Sequence, residues 1–491
     1  MAYENKDQVK IGLEIHIQLN KLNTKMFCGC RTDYHSDEPN THTCPICLGL
    51  PGALPVVNKK AVECAIKVGL ALNCKISEYT QFYRKNYYYP DLPKGFQITQ
   101  YDYPIAHDGS IIIEGEDGEH RVRINRAHME EDPGRLVHEG SIERSRYTLV
   151  DYNRSGVALL EVVTEPDLQS PKEARRFLDK LRNIVEYLDV SDVDLEGAVR
   201  VDANISIMGG QRSETKNISS HKASEKALLY EIVRQKNVLR RGKTVVQETR
   251  HFDEAREITV SLRTKEEAHD YRYFPEPDLV PLRIADLAPM IKETLPELPD
   301  AQRERFITQY GIQEEHAKTL TAELKLATFF EEVLFEGADV MLASTWIADM
   351  LKGELNYRGK TIDSFSKAHL LEILSLLEKN KITEKSGIEI VRTLLDTQNQ
   401  SVSRIVKEKG LLRIEGDEVT EAVKQAVDGN QDAVADYKNG KNEALNFIVG
   451  AVMKKTRGRA DPKKVRELII QHCTTSLYRS THSVCENNSN S

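Results

Sequence analysis

Lys10-Ile11-Gly12-Leu13-Glu14-Ile15-His16-Ile17-Gln18-Leu19 alternates apolar and polar residues along its length. Strand side chains alternate with a period of two. Ile11, Leu13, Ile15, Ile17 and Leu19 therefore share one face, and Gly12, Glu14, His16 and Gln18 share the other. The segment reads as a strand with one covered face, and it carries Glu14 and His16 side by side. Taken alone, its polar face is more often simply solvated. Similar Val-, Ile-, Thr- and Tyr-rich alternation, punctuated by turns such as Asp108-Gly109, Asp117-Gly118 and Gly209-Gly210, runs through residues 9–290. This predicts a mostly antiparallel sheet with a few helices, the latter at 58–73, 170–188 and about 222–240. The second helix opens Ser170-Pro171-Lys172-Glu173, with Ser at the N-cap, Pro at N1 and Glu at N3.

The composition changes at Pro275-Glu276-Pro277-Asp278, followed by Pro281, Pro289, Pro296 and Pro299, which reads as a linker. Beyond it, Phe306, Tyr310, Leu320, Leu324, Leu326, Phe329, Phe330, Val333 and Leu334 recur at helical spacing, and a second set of short helices is expected over 405–478. Trp346, the sole tryptophan, sits in an apolar helical stretch and reads as core. Residues 479–491, ending Asn487-Asn488-Ser489-Asn490-Ser491, read as disordered.

A chain of 491 residues is too long for one ordinary core. Its net charge of −8 excludes a uniformly basic nucleic-acid coat, so any such contact must come from a local patch. No apolar run approaches the roughly 20 residues needed to cross a bilayer. The N-terminus Met1-Ala2-Tyr3-Glu4-Asn5-Lys6-Asp7 has no targeting pattern, so the expected compartment is the cytosol.

Four of the eight cysteines form two close pairs, Cys28-Gly29-Cys30 and Cys44-Pro45-Ile46-Cys47. Two tight turns can offer four thiolates to one tetrahedral Zn²⁺, and four protein ligands make such a site structural. Gly29 is expected to permit a strained first turn and Pro45 to stiffen the second. His35 or His42 is an alternative ligand, and a redox dithiol fits less well because only the second pair has the two-residue gap.

His128-Met129-Glu130-Glu131-Asp132 reads on its own as a solvated acidic turn. Glu161, inside Val157-Ala158-Leu159-Leu160-Glu161-Val162-Val163, reads as a buried carboxylate on a doubly covered strand, which requires an Arg or a metal as partner. Carboxylates with one imidazole suit Mg²⁺ or Mn²⁺. Asp151-Tyr152-Asn153-Arg154-Ser155-Gly156 and Arg200-Val201-Asp202-Ala203-Asn204 are expected to line a polar pocket. Tyr83-Arg84-Lys85-Asn86-Tyr87-Tyr88-Tyr89-Pro90 mixes cations with aromatics, as a nucleotide or nucleic-acid surface does, or as a packed aromatic loop does. There is no Walker-type phosphate loop. Lys454-Lys455-Thr456-Arg457-Gly458-Arg459-Ala460-Asp461-Pro462-Lys463-Lys464-Val465-Arg466 is the clearest basic cluster, and its Asp461 and Pro462 read as the N-cap and N1 of a helix whose start can hold phosphate.

Several of these motifs together resemble the B subunit of aspartyl/glutamyl-tRNA amidotransferase: the first strand, Lys85-Asn86-Tyr87-Tyr88-Tyr89-Pro90-Asp91, the His128–Asp132 run and Leu160-Glu161-Val162-Val163-Thr164-Glu165-Pro166-Asp167. Gln247-Glu248-Thr249-Arg250 and Asp270-Tyr271-Arg272-Tyr273-Phe274-Pro275-Glu276-Pro277-Asp278 extend the resemblance over nearly the whole chain. It implies an α+β protein: a cradle domain over 1–290 with a zinc insertion at 28–47, an all-α domain over 291–404 and a small helical tail domain over 405–478. It implies an ATP-dependent carbon–nitrogen ligase that phosphorylates the side-chain carboxylate of Glu-tRNA(Gln) or Asp-tRNA(Asn) and amidates it with ammonia from glutamine. Its partners would be the A and C subunits, completing a heterotrimer, and the misacylated tRNA, with no membrane. The resemblance makes His16, Glu131 and Glu161 the Mg²⁺ ligands with Glu14 beside them, and Cys28, Cys30, Cys44 and Cys47 the Zn²⁺ ligands. ATP and substrate would meet Lys85, Tyr87, Asn153, Arg154, Arg200 and Asp202, and tRNA would meet Lys454, Lys455, Arg457, Arg459 and Lys463. Two stretches depart from the family pattern. Val157-Ala158 stands for the usual Thr-Pro, and Thr215-Lys216-Asn217-Ile218-Ser219-Ser220-His221 for Leu-Lys-Asn-Leu-Asn-Ser-Phe. The competing readings are a non-catalytic, zinc-containing tRNA-binding module and an ATP-grasp-like ligase acting on a free small molecule.

Overall fold

The structure, a computed structural model, describes residues 9–138, 147–207, 210–264, 271–397, 400–414 and 416–482. It divides into two compact units, Met1–Ala301 and Gln302–Ser491. Among the described residues no helix is long and apolar enough to cross a membrane.

The first unit is built on a twelve-stranded sheet. Its main strands are β1 (Val9–Gln18), β2 (Phe82–Asn86), β3 (Phe96–Gln100), β4 (Ala106–Glu114), β5 (Glu119–Glu131), β6 (Ala158–Thr164), β7 (Val199–Ile207), β8 (Ser213–Ile218), β9 (Glu248–Asp253) and β10 (Ile258–Thr264). Their spatial order is β10-β9-β8-β7-β1-β6-β5-β3-β2, with β4 paired to β5. Among these strands only β8 and β9 run parallel. The opening segment behaves as its alternation dictates: Ile11, Leu13, Ile15 and Ile17 are almost wholly buried in the core, while Glu14 and His16 are only partly covered. That core is closed by α1 (Lys59–Ala71), α2 (Pro171–Tyr187) and α3 (His221–Arg240). Each helix begins where local capping supports it. Ser170 Oγ accepts from Glu173 N–H, satisfying one orphan donor of the first turn, and the Glu173 carboxylate reaches back to accept from the N–H of Gln169, one residue before the cap, at 2.8 Å. Ser220 caps α3 through Ala223 N–H in the same way.

The proline-rich stretch does not begin as a linker. Phe274 and Pro275 pair with β2 at the sheet edge, where a missing N–H is tolerated, and Leu279, Ile284 and Ile291 enter the first core. His128–Glu131 is also not a turn: it continues β5, because its charges find partners on neighbouring strands.

The second unit is all helical among the described residues and holds two apolar clusters, one from Phe306 to Val406 and one from Val419 to Cys473. Trp346 is buried in the former, where Gly387 approaches its ring so closely that a Cβ would lie 2.5 Å away. The last helix, Pro462–His482, extends past the point where disorder was expected to start, and residues 483–491 lie outside the described residues.

Candidate functional site

Sheet register assembles an acidic hollow on the face away from the helices. His16 lies opposite Glu161, and Glu161 lies opposite His128, so three adjacent strands present these side chains in one row. His16 Nε2 lies 3.4 Å from Glu161 Oε2 and 3.7 Å from Glu130 Oε1, and His128 Nε2 lies 3.2 Å from Glu161 Oε2. Buried Glu161 is therefore answered by two imidazoles, not by an Arg. Burial works against the charge on His16, but the Glu161 hydrogen bond and the charges of Glu161, Glu130 and Asp202 outweigh it and raise its pKa to about 9. Burial likewise opposes the Glu161 carboxylate, and His128 and His16 override it, holding Glu161 well below the usual range.

His16, Glu130 and Glu161 each offer a ligand atom within 4.8 Å of the others. The expected set contained Glu131 in place of Glu130. The correction follows from strand geometry: residues 128 and 130 share a face of β5, and 131 must point the other way. Glu131 Oε1 accepts from Ile98 N–H at 2.8 Å, and Oε2 accepts from Lys94 Nζ at 2.5 Å. It lines a separate cavity of about 210 Å³ with Arg84, Lys94, Glu276, Cys28 and Cys47.

The acidic hollow itself encloses about 530 Å³. Glu14, His16, Lys85 and Asp202 line it as expected, joined by Glu130, Arg126, Arg212 and Lys216. Asn204 Nδ2 donates to Glu14 Oε1 at 2.9 Å, and Lys216 Nζ lies 3.4 Å from Asp202 and 3.6 Å from Glu214. Burial opposes the Lys85 charge, but Tyr273, Glu130, Tyr87 and Glu161 raise its pKa, so it stays an ammonium. Tyr87 flanks Lys85 from outside the lining, with its ring centroid 5.7 Å from Nζ.

Asn153, Arg154 and Arg200 do not join this hollow. Asn153 is fully buried, accepts from His42 N–H and donates to the Glu38 carbonyl, so it braces the cysteine loop. Arg154 donates to the Pro133 and Gly134 carbonyls. Arg200 donates to Asp132 Oδ1 at 2.7 Å. The turn that carries Asn153 and Arg154 ends at Gly156, whose φ of +85° favours glycine.

The four cysteines converge, with all four sulfurs within 4.8 Å and Cys44 Sγ 3.8 Å from Cys47 Sγ. A Zn–S bond of about 2.3 Å in a tetrahedron sets sulfurs about 3.8 Å apart, so the set fits zinc. The Cys28 hydrogen bond draws Cys47 down to about 4 against its burial, with Lys25 assisting, while burial and Cys44 push Cys30 up to about 12. Neither histidine belongs to the cluster: His42 pairs with Asp37 and His35 stacks on Tyr34. Gly29 also keeps an ordinary φ, and the left-handed turn falls at Gly49, after the second pair.

In the tail, Lys454, Lys455, Arg457 and Lys463 are exposed. Arg459 is half-buried and donates to the Gly410 and Thr456 carbonyls. Asp461 Oδ1 accepts from Lys463 N–H, as the expected cap requires.

Alternation within His128–Glu131 would have shown His128 and Glu130 sharing a face, but a register shift between Ile124 and Arg126 is what turns that face from the core side of Val122 and Ile124 to the hollow. Lys216, Gln247, Thr249 and Tyr271 were visible only as parts of motifs. Arg250, from the same motif as Gln247 and Thr249, turns out to be structural: it is buried against Glu248 and Glu231.

A sheet bearing two carboxylates and an imidazole around one hollow, with a separate tetrathiol site, belongs to a catalytic domain. Residues 9–288 match the family model described as the GatB/GatE catalytic domain, and residues 328–473 match the one described as the GatB domain. The chain is 63% identical over 470 residues to the B subunit of aspartyl/glutamyl-tRNA(Asn/Gln) amidotransferase from Methanococcoides burtonii, covering 96% of this chain and 99% of that protein. It is 62% identical over 491 residues to the protein of the same name from Methanosarcina acetivorans, with the same coverage. It is 51% identical over 480 residues to the Halobacterium salinarum protein of that name, covering 94% of this chain and 96% of that protein. The chain belongs to the GatB family.

Proposed function

We propose that this chain is the amidating component of a glutamine-dependent, tRNA-dependent amidotransferase acting on Glu-tRNA(Gln) or Asp-tRNA(Asn). It works in the cytosol as a ligase, with an A partner that releases ammonia and a C partner that joins the two. The observation that carries the reading is the convergence of His16, Glu130 and Glu161 in a hollow that also holds Lys85 and Lys216. These three residues would hold Mg²⁺, which when bound neutralises charge on ATP phosphates.

A side-chain carboxylate is a poor acyl donor. Its oxygen first bonds to the γ-phosphorus as the bond to ADP breaks. Ammonia then attacks the acyl carbon, the C–O bond to phosphate breaks, and a proton leaves the new amide nitrogen. Lys85 and Lys216 supply fixed positive charge near the anionic groups, which such a reaction needs more than a protein nucleophile. Glu14, oriented by Asn204, and Asp202, paired with Lys216, add further carboxylates to the lining of the hollow. The tetrathiol loop is a structural Zn²⁺ site, and the 405–478 tail supplies cations for the tRNA body.

The test is amidation of each charged tRNA by the chain assembled with its A and C partners. Glu130→Ala and Glu161→Ala should abolish ATP-dependent amide formation while charged tRNA still binds. Amidation near the wild-type rate in either variant overturns the assignment.

A further inference from the structure

Five tyrosines in successive ring contact, Tyr83, Tyr101, Tyr273, Tyr271 and Tyr87, run along the acidic hollow, with Tyr79 and Tyr103 forming a separate pair, and the proposed reaction does not use them. Tyr79 and Tyr103 lie with ring centroids 4.8 Å apart, both about two-fifths exposed. Tyr83 meets Tyr101 edge-on at 6.2 Å, and Tyr101 stacks on Tyr273 at 4.1 Å with the rings 6° from parallel. Tyr273 contacts Tyr271 at 6.0 Å, and Tyr271 contacts Tyr87 at 5.9 Å. At the inner end Lys85 Nζ lies 4.9 Å over the Tyr271 ring. Tyr101, Tyr271 and Tyr273 line the hollow.

Tyr101 remains 42% exposed although Tyr273 covers one of its faces, and exposed Phe274 and Arg272 flank the row. Successive aromatic faces with interspersed cations accept successive bases whatever their identity. The reacting group proposed above sits at the end of an unpaired RNA strand, and it must enter the hollow with that strand behind it.

We propose that this tyrosine row is the track on which the single-stranded 3′ end of the charged tRNA lies, with its bases stacking on Tyr101 and Tyr273. The inference rests on the amidation reading and adds the path by which the substrate enters.

The test uses the full chain assembled with its A and C partners, as wild type, Tyr101→Ala, Tyr273→Ala and Tyr101→Trp. The KM values for charged tRNA and for ATP are measured separately. The quenching of a tRNA whose 3′-terminal adenine is replaced by 2-aminopurine reports stacking directly. The expected result for each alanine variant is a KM for charged tRNA raised about tenfold, a KM for ATP within twofold of wild type, and lost quenching. Tyr101→Trp should keep both the low KM and the quenching, which separates stacking from misfolding. A raised KM for ATP with unchanged tRNA behaviour overturns the proposal, because the row then holds the adenine of the nucleotide. Unchanged quenching in both alanine variants overturns it as well. If no charged tRNA is amidated even by wild type, the amidation reading fails, and the quenching titration still decides on the track.

Discussion

The tetrathiol loop and the acidic hollow are both candidate metal centres in one sheet unit, yet they are made in opposite ways. The loop draws its four sulfurs from twenty consecutive residues and needs only two tight turns. The hollow draws His16, Glu161 and Glu130 from three strands far apart in the chain, and it exists only because β1, β6 and β5 pair in one register. A slip of one residue in β5 would put Met129 in the place of His128, opposite Glu161, and so remove one of the two imidazoles that answer this buried carboxylate. The loop should therefore fail as a local structural element, and the hollow should fail as chemistry on an intact fold.

The sharpest way to break that contrast is to alter the two adjacent glutamates separately. Glu130→Ala should lower kcat for amidation by about 10³-fold with an unchanged melting temperature, since it removes charge arranged around the reacting groups. Glu131→Ala leaves the Lys94 ammonium and the Ile98 N–H unpaired in a buried position, so it should cost stability of about 3 kcal/mol. Both are read by single-turnover amidation and by denaturant unfolding. Equal loss of activity at constant stability for the two variants would mean that strand alternation does not separate their roles.

Next in size is the support behind the hollow. Arg250 Nε lies 3.0 Å from Glu231, its Nη1 donates to Glu248 at 2.7 Å, and Arg234 also pairs with Glu231. This network holds β9, whose other face carries Thr249 to Glu214. Arg250→Met should destabilise the sheet unit by about 3 kcal/mol, because it removes the buried guanidinium that Glu231 and Glu248 share and leaves Arg234 as the cation for both. Burial alone would raise the Glu231 pKa, but Arg234, Thr259 and Arg250 bring it below its ordinary value. Its contribution is therefore fully present above the unfolded pKa of about 4.3 and is lost as pH falls through the lower native value. Glu231→Gln should flatten the loss of stability between about pH 4.5 and 3, as urea midpoints across that range will report.

For the loop, Cys44→Ser should remove one zinc per chain by elemental analysis and lower the melting temperature of the sheet unit by several degrees. Amidation per folded molecule should change far less than in Glu130→Ala. Unchanged zinc content removes the site.

The same contrast explains what was readable before the fold was known. The cysteine spacing needs no tertiary information, and neither do the three helices, the second of them with its Ser170 cap, or the alternation of Lys10–Leu19. The choice between Glu130 and Glu131 needs to know that β5 runs unbroken to residue 131, and a dense cluster of charges argues locally for a turn. Asn153 and Arg154 sit on a turn whose direction is set by the cysteine loop it braces, so their polarity alone pointed to the wrong cavity. The prolines from 275 onward signalled a break, yet the first of them closes a sheet edge, a position where proline is tolerated.

The smallest expected effects lie in the tail, where neither register nor buried ligands are at work and only exposed charge remains. Lys454, Lys455 and Arg457 project into solvent, whereas Arg459 donates its hydrogen bonds to carbonyls of its own unit. An exposed cation that meets phosphate contributes through counterion release, so its removal weakens tRNA binding and makes binding less sensitive to salt. Lys454→Ala with Lys455→Ala should lower tRNA affinity by several-fold and reduce the slope of log K against log salt by up to about 2, with melting unchanged. Arg459→Ala should lower thermal stability more than it alters the salt slope, because its guanidinium is committed to Gly410 and Thr456. Filter binding across a salt series, paired with melting curves, separates the two. An Arg459 variant that flattens the salt dependence as much as the lysine pair, at unchanged stability, would show that this arginine leaves its carbonyl partners for the RNA.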